Sequence, residues 1–184
     1  MPNIFDNIEN RLIEGLRNVL DKARACAFCV GYLNLRGWQE IADVIDRLPG
    51  GDEVHGCRVL VGMHRPPEEQ MRLLQGLQRG EELVDGPMQA FLRKKITESF
   101  QEQLAFGVPS QEAEETLRIL ARQLRTRKVY VKAFLRYPLH AKLYLVRRED
   151  NVTPWIGFVG SSNLTLAGLQ RQGELNVDVV EQDA

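Results

Sequence analysis

Leu139-His140-Ala141-Lys142-Leu143-Tyr144-Leu145 alternates polar with apolar residues at the period of two that marks a β-strand. His140, Lys142 and Tyr144 share one face, and the leucines and Ala141 share the other. The expectation is a strand that packs through its leucines and presents chemistry on its polar side. Further along, Trp155-Ile156-Gly157-Phe158-Val159-Gly160 reads as an apolar strand. Residues 174–180 alternate again, setting Glu174, Asn176 and Asp178 opposite Leu175, Val177 and Val179. With a further strand at 129–135, this third of the chain reads as a sheet that gathers polar groups at one edge of a core.

Upstream the pattern changes to the helical period. Ile8, Leu12, Leu16, Val19 and Leu20 predict a helix over 5–23, followed by a strand over 26–33. Asn34 is placed to cap a helix through Trp38, Ile41, Ala42 and Ile45 that stops at Pro49-Gly50-Gly51, and the next strand falls at 57–63. Helical patterns then run over 67–79, 87–106 and 110–125 before the sheet resumes. The fold class is α/β, a mixed β-sheet flanked by helices with a helical insertion around 67–126. A chain of 184 residues, 43% hydrophobic and 27% charged, is sized for one domain over 1–184 with its own core. No stretch approaches the roughly 20 apolar residues of a membrane span. The acidic start Asn3-Ile4-Phe5-Asp6 is no secretion signal, so a cytoplasmic protein is expected.

Three cysteines, an odd number, fit reduced thiols better than a disulfide framework. Cys26 and Cys29 form a C-x-x-C inside an apolar run that reads as a buried strand. Zinc would need a second ligand pair, and His55 with Cys57 matches no common spacing. Core cysteine is the reading, with no metal and no cofactor.

The net charge of −1 conceals an asymmetry. Between Thr116 and Arg148 the chain carries ten basic residues and no acidic one, whereas residues 1–115 hold 19 acids against 13 bases. Arg122, Arg125 and Lys128 belong to this block, which leads along the chain into His140. A polyanionic substrate fits such a zone. The plainer alternative is a solvated helix face, since Arg118, Arg122 and Arg125 recur at helical spacing.

Gly160-Ser161-Ser162-Asn163 joins the strand at 155–160 to a short helix at 164–167 that Gly168 would end. A strand-to-helix turn of small residues leaves backbone N–H groups and the side chains of Ser161, Ser162 and Asn163 free for phosphate oxygens. The same residues equally suit a helix N-cap. Each polar residue of this region matches a step of phosphodiester cleavage. An imidazole attacks phosphorus, an ammonium and an amide hold its oxygens, and a carboxylate orients the imidazole.

His140-x-Lys142, Gly160-Ser161-x-Asn163 and Glu174, in that order, resemble the signature of the phospholipase D superfamily, specifically its nuclease-type members. Gly31-Tyr32-Leu33-Asn34-Leu35-Arg36-Gly37-Trp38, with Val59-Leu60-Val61-Gly62-Met63 and the stretch 160–165, is similar to phospholipase D-like domains at the N-termini of large bacterial helicases. The resemblance covers most of the chain and implies a phospholipase D-like sheet in a fragment or relative of a longer, helicase-type protein. The chain stops a few residues after the strand at 177–180, as expected of an excised domain. One position departs from the family pattern: the aspartate five residues after the lysine is Arg147 here. Some nuclease-type members use the glutamate after the asparagine motif instead, and Glu174 matches it.

The resemblance implies a metal-independent phosphodiesterase. His140 would form a phosphohistidine, a second histidine would protonate the leaving oxygen, Lys142 and Asn163 would bind the nonbridging oxygens, and Glu174 would fix the imidazole tautomer. Ser161, Ser162, Arg122, Arg125 and Lys128 would contact substrate. His55 and His64, the other histidines, have no lysine two residues on, so the chain holds one half-site. Single-copy family members complete the site across a twofold axis, which implies a homodimer. DNA is the expected partner ahead of RNA, with helicase domains in the same longer chain and no membrane. The rival reading is a catalytically inactive nucleic-acid-binding module. Lipid hydrolysis is disfavoured by the absence of a second motif copy and of an amphipathic membrane segment.

Overall fold

The β-branched and aromatic runs pair into one mixed sheet. The computed structural model describes residues 2–62, 91, 94, 97, 98, 101, 102, 111–134 and 139–180. Within these, β1 (Ile4–Phe5), β2 (Ala23–Val30), β3 (Cys57–Val61), β4 (Val129–Ala133), β5 (Leu143–Arg148), β6 (Trp155–Gly160) and β7 (Asn176–Val180) form a seven-stranded sheet in the order β1-β7-β6-β5-β2-β3-β4. β2, β3 and β4 are parallel, and every other neighbouring pair is antiparallel. One consequence governs the chemistry. The C-terminal ends of β2, β3, β4 and β6 meet the N-terminal ends of β5 and β7 at the same end of the sheet.

Helices α1 (Leu12–Leu20), α2 (Leu35–Gln39), α3 (Ala42–Ile45) and α4 (Gln111–Arg125) accompany the sheet, together with a π-helical turn at Ala167–Arg171. The register sets Phe158, Tyr144, Phe28 and Val59 side by side across four strands, and all four are buried with Leu12, Leu16 and Trp38. Burying each large side chain of this kind contributes about 1.5–3 kcal/mol. The Trp38 indole N–H donates to Gln123 Oε1 at 2.9 Å, and Gln123 Nε2 donates to Ala42 O, so the buried polar groups joining α2, α3 and α4 are paired.

The opposite face of the sheet carries Leu143, Val159 and Val179, and there the two faces are reversed from expectation. Tyr144, Asn176 and Asp178 are buried, whereas Val159 and Val179 are exposed. The helices cover the mixed-polarity face because its polar groups have partners: Asp178 accepts from the backbone and side chain of Asn3, both at 2.6 Å, and Asn176 pairs with Ser162.

The N-terminal helix is shorter than its periodicity indicates. Phe5 joins β1 against β7, and Asp6 Oδ1 accepts from the backbone N–H groups of Ile8, Glu9 and Asn10, holding them in a turn. Asn7 then takes a left-handed conformation, φ 61°, and its Oδ1 accepts from Leu12 N at 2.9 Å. Its Nδ2 donates to Gly168 O at 2.7 Å and Gln172 O at 3.1 Å, tying α1 to the π-helical turn. Asn7→Ala removes these bonds and, with them, the side-chain bonding that lets asparagine tolerate positive φ, so a loss of about 2–3 kcal/mol is expected. A fall in the urea midpoint at unchanged slope is the readout, and an unmoved midpoint refutes it.

Asn34 caps α2 as expected, Oδ1 accepting from Gly37 N at 2.8 Å, but the helical run splits into α2 and α3 at Glu40 and Ile41. The strand read at 26–33 ends at Val30, and those read at 57–63 and 129–135 end at Val61 and Ala133. Of the helical insertion, α4 and the helical positions 91, 94, 97, 98, 101 and 102 are described. The pattern at 67–79 lies outside the described residues. Among the described residues no helix is long and apolar enough to cross a membrane.

Candidate active site at the strand ends

The sequence places His140 and Lys142 within a strand, yet β5 begins at Leu143, and residues 139–142 form its irregular entry. Gly62, just past β3, makes that entry possible. A β-carbon there would lie 2.4 Å from Leu139 O, so only glycine lets the two backbones approach, and Leu139 N donates to Gly62 O at 3.3 Å. Three residues of one polar face then emerge in steps from the core: Tyr144 is buried, Lys142 is 7% exposed, and His140 is exposed. Lys142 Nζ donates to His140 O at 3.2 Å, which brings the ammonium under the imidazole-bearing residue.

The turn after β6 folds over the end of β5 and reaches the exit of β2. Leu164 N donates to Tyr32 O at 3.1 Å, Asn34 N donates to Leu164 O at 3.2 Å, and Tyr144 Oη donates to Ser162 O at 2.9 Å. Two glycines permit the close packing. A β-carbon on Gly37 would lie 2.4 Å from Leu164 O, and one on Gly168 would lie 2.6 Å from Asn163 O. Gly168 therefore sits inside the π-helical turn and does not end a helix at 164–167. A π-turn is an uncommon conformation that recurs at functional sites.

Hydrogen bonding sorts the turn's residues. Ser162 is fully buried, and its Oγ accepts from Asn176 Nδ2 at 2.8 Å while Asn176 Oδ1 accepts from Ser162 N at 3.3 Å. Ser161 Oγ accepts from Leu175 N at 3.0 Å, and its N–H donates to Leu175 O. Leu164 and Thr165 N–H groups are also engaged. The expected set of free backbone donors thus reduces to one residue. Asn163 Oδ1 accepts from Tyr32 N at 2.9 Å, which fixes the amide orientation and leaves Nδ2 and the Asn163 N–H without partners among the described residues.

Glu174 precedes β7 and is half-buried, its N–H donating to Asp6 O at 3.2 Å. Neither its carboxylate nor the His140 imidazole has a hydrogen-bond partner among the described residues, so the expected contact between the two is absent. Glu174 acts through its field. Burial pushes the Lys142 ammonium below its ordinary range and the negative charge of Glu174 pulls it back up. Burial, reinforced by the same charge, holds the Tyr144 phenol far above its ordinary range, so it stays a neutral donor to Ser162 O.

His140, Lys142, Ser161, Ser162, Asn163 and Glu174 thus converge at one end of the sheet. Arg122, Arg125 and Lys128 do not. They lie where α4 ends and β4 begins, at the opposite end: Lys128 O accepts from Cys57 N at the start of β3, whereas Leu139 meets Gly62 beyond its end. Arg122 and Lys128 are also engaged by Asp46. The basic block leads to His140 along the chain but not through space, because β4 traverses the sheet between them. Arg147 lies on the sheet face opposite the core, paired across from Trp155. Cys26 and Cys57 are buried side by side in β2 and β3, and among the described residues no His, Cys, Asp and Glu cluster suits a metal.

The mixed seven-stranded sheet with its flanking helices is a phospholipase D-like fold. A phospholipase D family member, Nuc from Salmonella typhimurium, superposes with a TM-score of 0.50 at 10% identity, covering 99% of this chain and 83% of that one. NucT from Helicobacter pylori gives 0.47 at 9% identity, covering 97% of this chain and 84% of its own. The likeness is one of fold. No protein-family model and no curated protein matches the chain.

Proposed function

We propose that the protein is a metal-independent phosphodiesterase acting on nucleic acid, DNA in particular, with its active site shared across a homodimer. The observation that carries the reading is that one end of the sheet holds both Lys142 Nζ, bonded to His140 O, and an Asn163 amide whose oxygen is committed to Tyr32 N and whose nitrogen has no partner among the described residues. Neutral His140 attacks phosphorus, forming the N–P bond as the P–O bond to the leaving group breaks. The His140 of a second copy, protonated, gives its proton to the leaving oxygen and afterwards takes one from the water that hydrolyses the phosphohistidine. Lys142 Nζ and Asn163 Nδ2 hold the nonbridging oxygens, and the charge of Glu174 favours the charged lysine against the effect of burial. Ser162, buried against Asn176, shapes the turn and does not touch substrate. The fold likeness to Nuc supports a nuclease of this type, and the resemblance of the stretch 31–38 supports a place in a longer, cytoplasmic, helicase-type chain.

The lack of a Glu174–His140 contact and the presence of Arg147 favour the second reading, a binding module without turnover. Incubation with plasmid and short single strands in EDTA separates the two. Cleavage is the expected result, whereas salt-sensitive binding without cutting supports the module.

A further inference from the structure

Two tyrosines flank the Asn163 turn, and they are treated differently. Tyr144 is buried with its hydroxyl donating to Ser162 O, as a core tyrosine should be. Tyr32 is 39% exposed, and its hydroxyl has no partner among the described residues. Its backbone is nevertheless clamped at both ends, N–H to Asn163 Oδ1 at 2.9 Å and C=O from Leu164 N at 3.1 Å, while its neighbour Leu33 is fully buried and bridges Leu164. β2 ends at Val30 and β5 begins at Leu143, so Tyr32 leaves β2 at the same end of the sheet from which His140 enters β5. An exposed aromatic on a rigid backbone thus stands beside the proposed phosphate-holding amide, at the sheet end that also carries His140.

Resting on the proposed function, we infer that Tyr32 is the platform on which an unpaired base next to the scissile phosphate stacks, so that the substrate class is single-stranded nucleic acid. In a duplex, bases stack on one another and their faces are unavailable, whereas a single strand offers every base to an aromatic ring. Stacking is tolerant of sequence, which suits a site whose other groups address only phosphate. The two backbone bonds fix the position of the ring's α-carbon, so little ordering remains to be done on binding.

The test measures equilibrium binding in the non-cleaving His140→Ala background, with a thymidine homo-oligonucleotide and an abasic strand of equal length as probes. Adding Tyr32→Ala should weaken binding of the thymidine strand about tenfold and leave the abasic strand unchanged, while Tyr32→Phe retains wild-type affinity for both. An equal loss on the two strands would assign Tyr32 to shaping the Asn163 turn, and no loss on either would remove it from the site. Both results overturn the inference alone. Failure of the His140→Ala parent to bind either strand overturns the nucleic-acid reading, and the inference with it.

Discussion

His140→Ala is expected to lower phosphodiester cleavage by about 10⁴-fold or more, the scale seen when a covalent nucleophile is removed, and to leave thermal unfolding unchanged. The two halves of that expectation have separate causes. The imidazole is exposed and has no hydrogen-bond partner among the described residues, so the folded state loses almost nothing with it. The backbone of residue 140 keeps its bond from Lys142 Nζ whatever the side chain. The shared site adds a quantitative signature. If each site needs one imidazole from each copy, mixing equal amounts of wild type and His140→Ala under exchange leaves about a quarter of the activity of all-wild-type protein at the same total concentration, because only wild-type pairs are complete. Independent monomers would leave about half. A linear dependence on the wild-type fraction sinks the dimeric site, and residual cleavage near wild type in His140→Ala sinks the nucleophile.

The parts of this site legible in the sequence are those set by local pattern. The order His140, Lys142, Asn163, Glu174 and the small-residue turn were readable because strand periodicity and a Gly-Ser-Ser-Asn junction need only neighbours along the chain. The strand ends were less so. Residues 139–142 continue the alternation of β5, yet what keeps them out of the sheet is Gly62, which meets Leu139 from a distant strand. Face assignment failed for the same kind of reason. Alternation identifies two faces of β7, but which one the helices cover depends on Asn3 and Ser162 pairing with Asp178 and Asn176. The basic block misled because proximity in sequence to His140 is undone by β4 crossing the whole sheet. Tyr32, the inferred stacking platform, is not singled out by the sequence pattern, although an aromatic directly past a strand end is the available signal. Asn7, whose side chain fastens the π-helical turn, reads as an ordinary loop residue until its partners at Gly168 and Gln172 are known.

Lys142 supplies the second large effect, and it separates catalysis from stability. Lys142→Met keeps the unbranched stem of the side chain up to Cε while deleting the ammonium, and a loss of about 10²–10³-fold in kcat is expected from removing one oxyanion-stabilising donor. Stability should move the other way or not at all. Because the ammonium is buried, its pKa in the fold lies below the ordinary 10.5, so the folded protein gives up this proton before the unfolded chain does. Holding the charge therefore costs stability at neutral pH, and that cost is relieved as pH rises through the folded pKa toward the unfolded one. Methionine escapes the cost at every pH. The same titration sets the alkaline limb of the rate profile, since an uncharged Lys142 no longer neutralises a phosphate oxygen. Glu174 raises the Lys142 pKa through space, so Glu174→Gln should move that limb to lower pH, with the largest loss of activity on the alkaline side and a smaller one near pH 7. If Glu174→Gln instead lowers activity equally at all pH values, its role is to orient His140 in the bound complex. A Lys142→Met protein that unfolds more readily than wild type at neutral pH would place the lysine among the groups that hold the fold together.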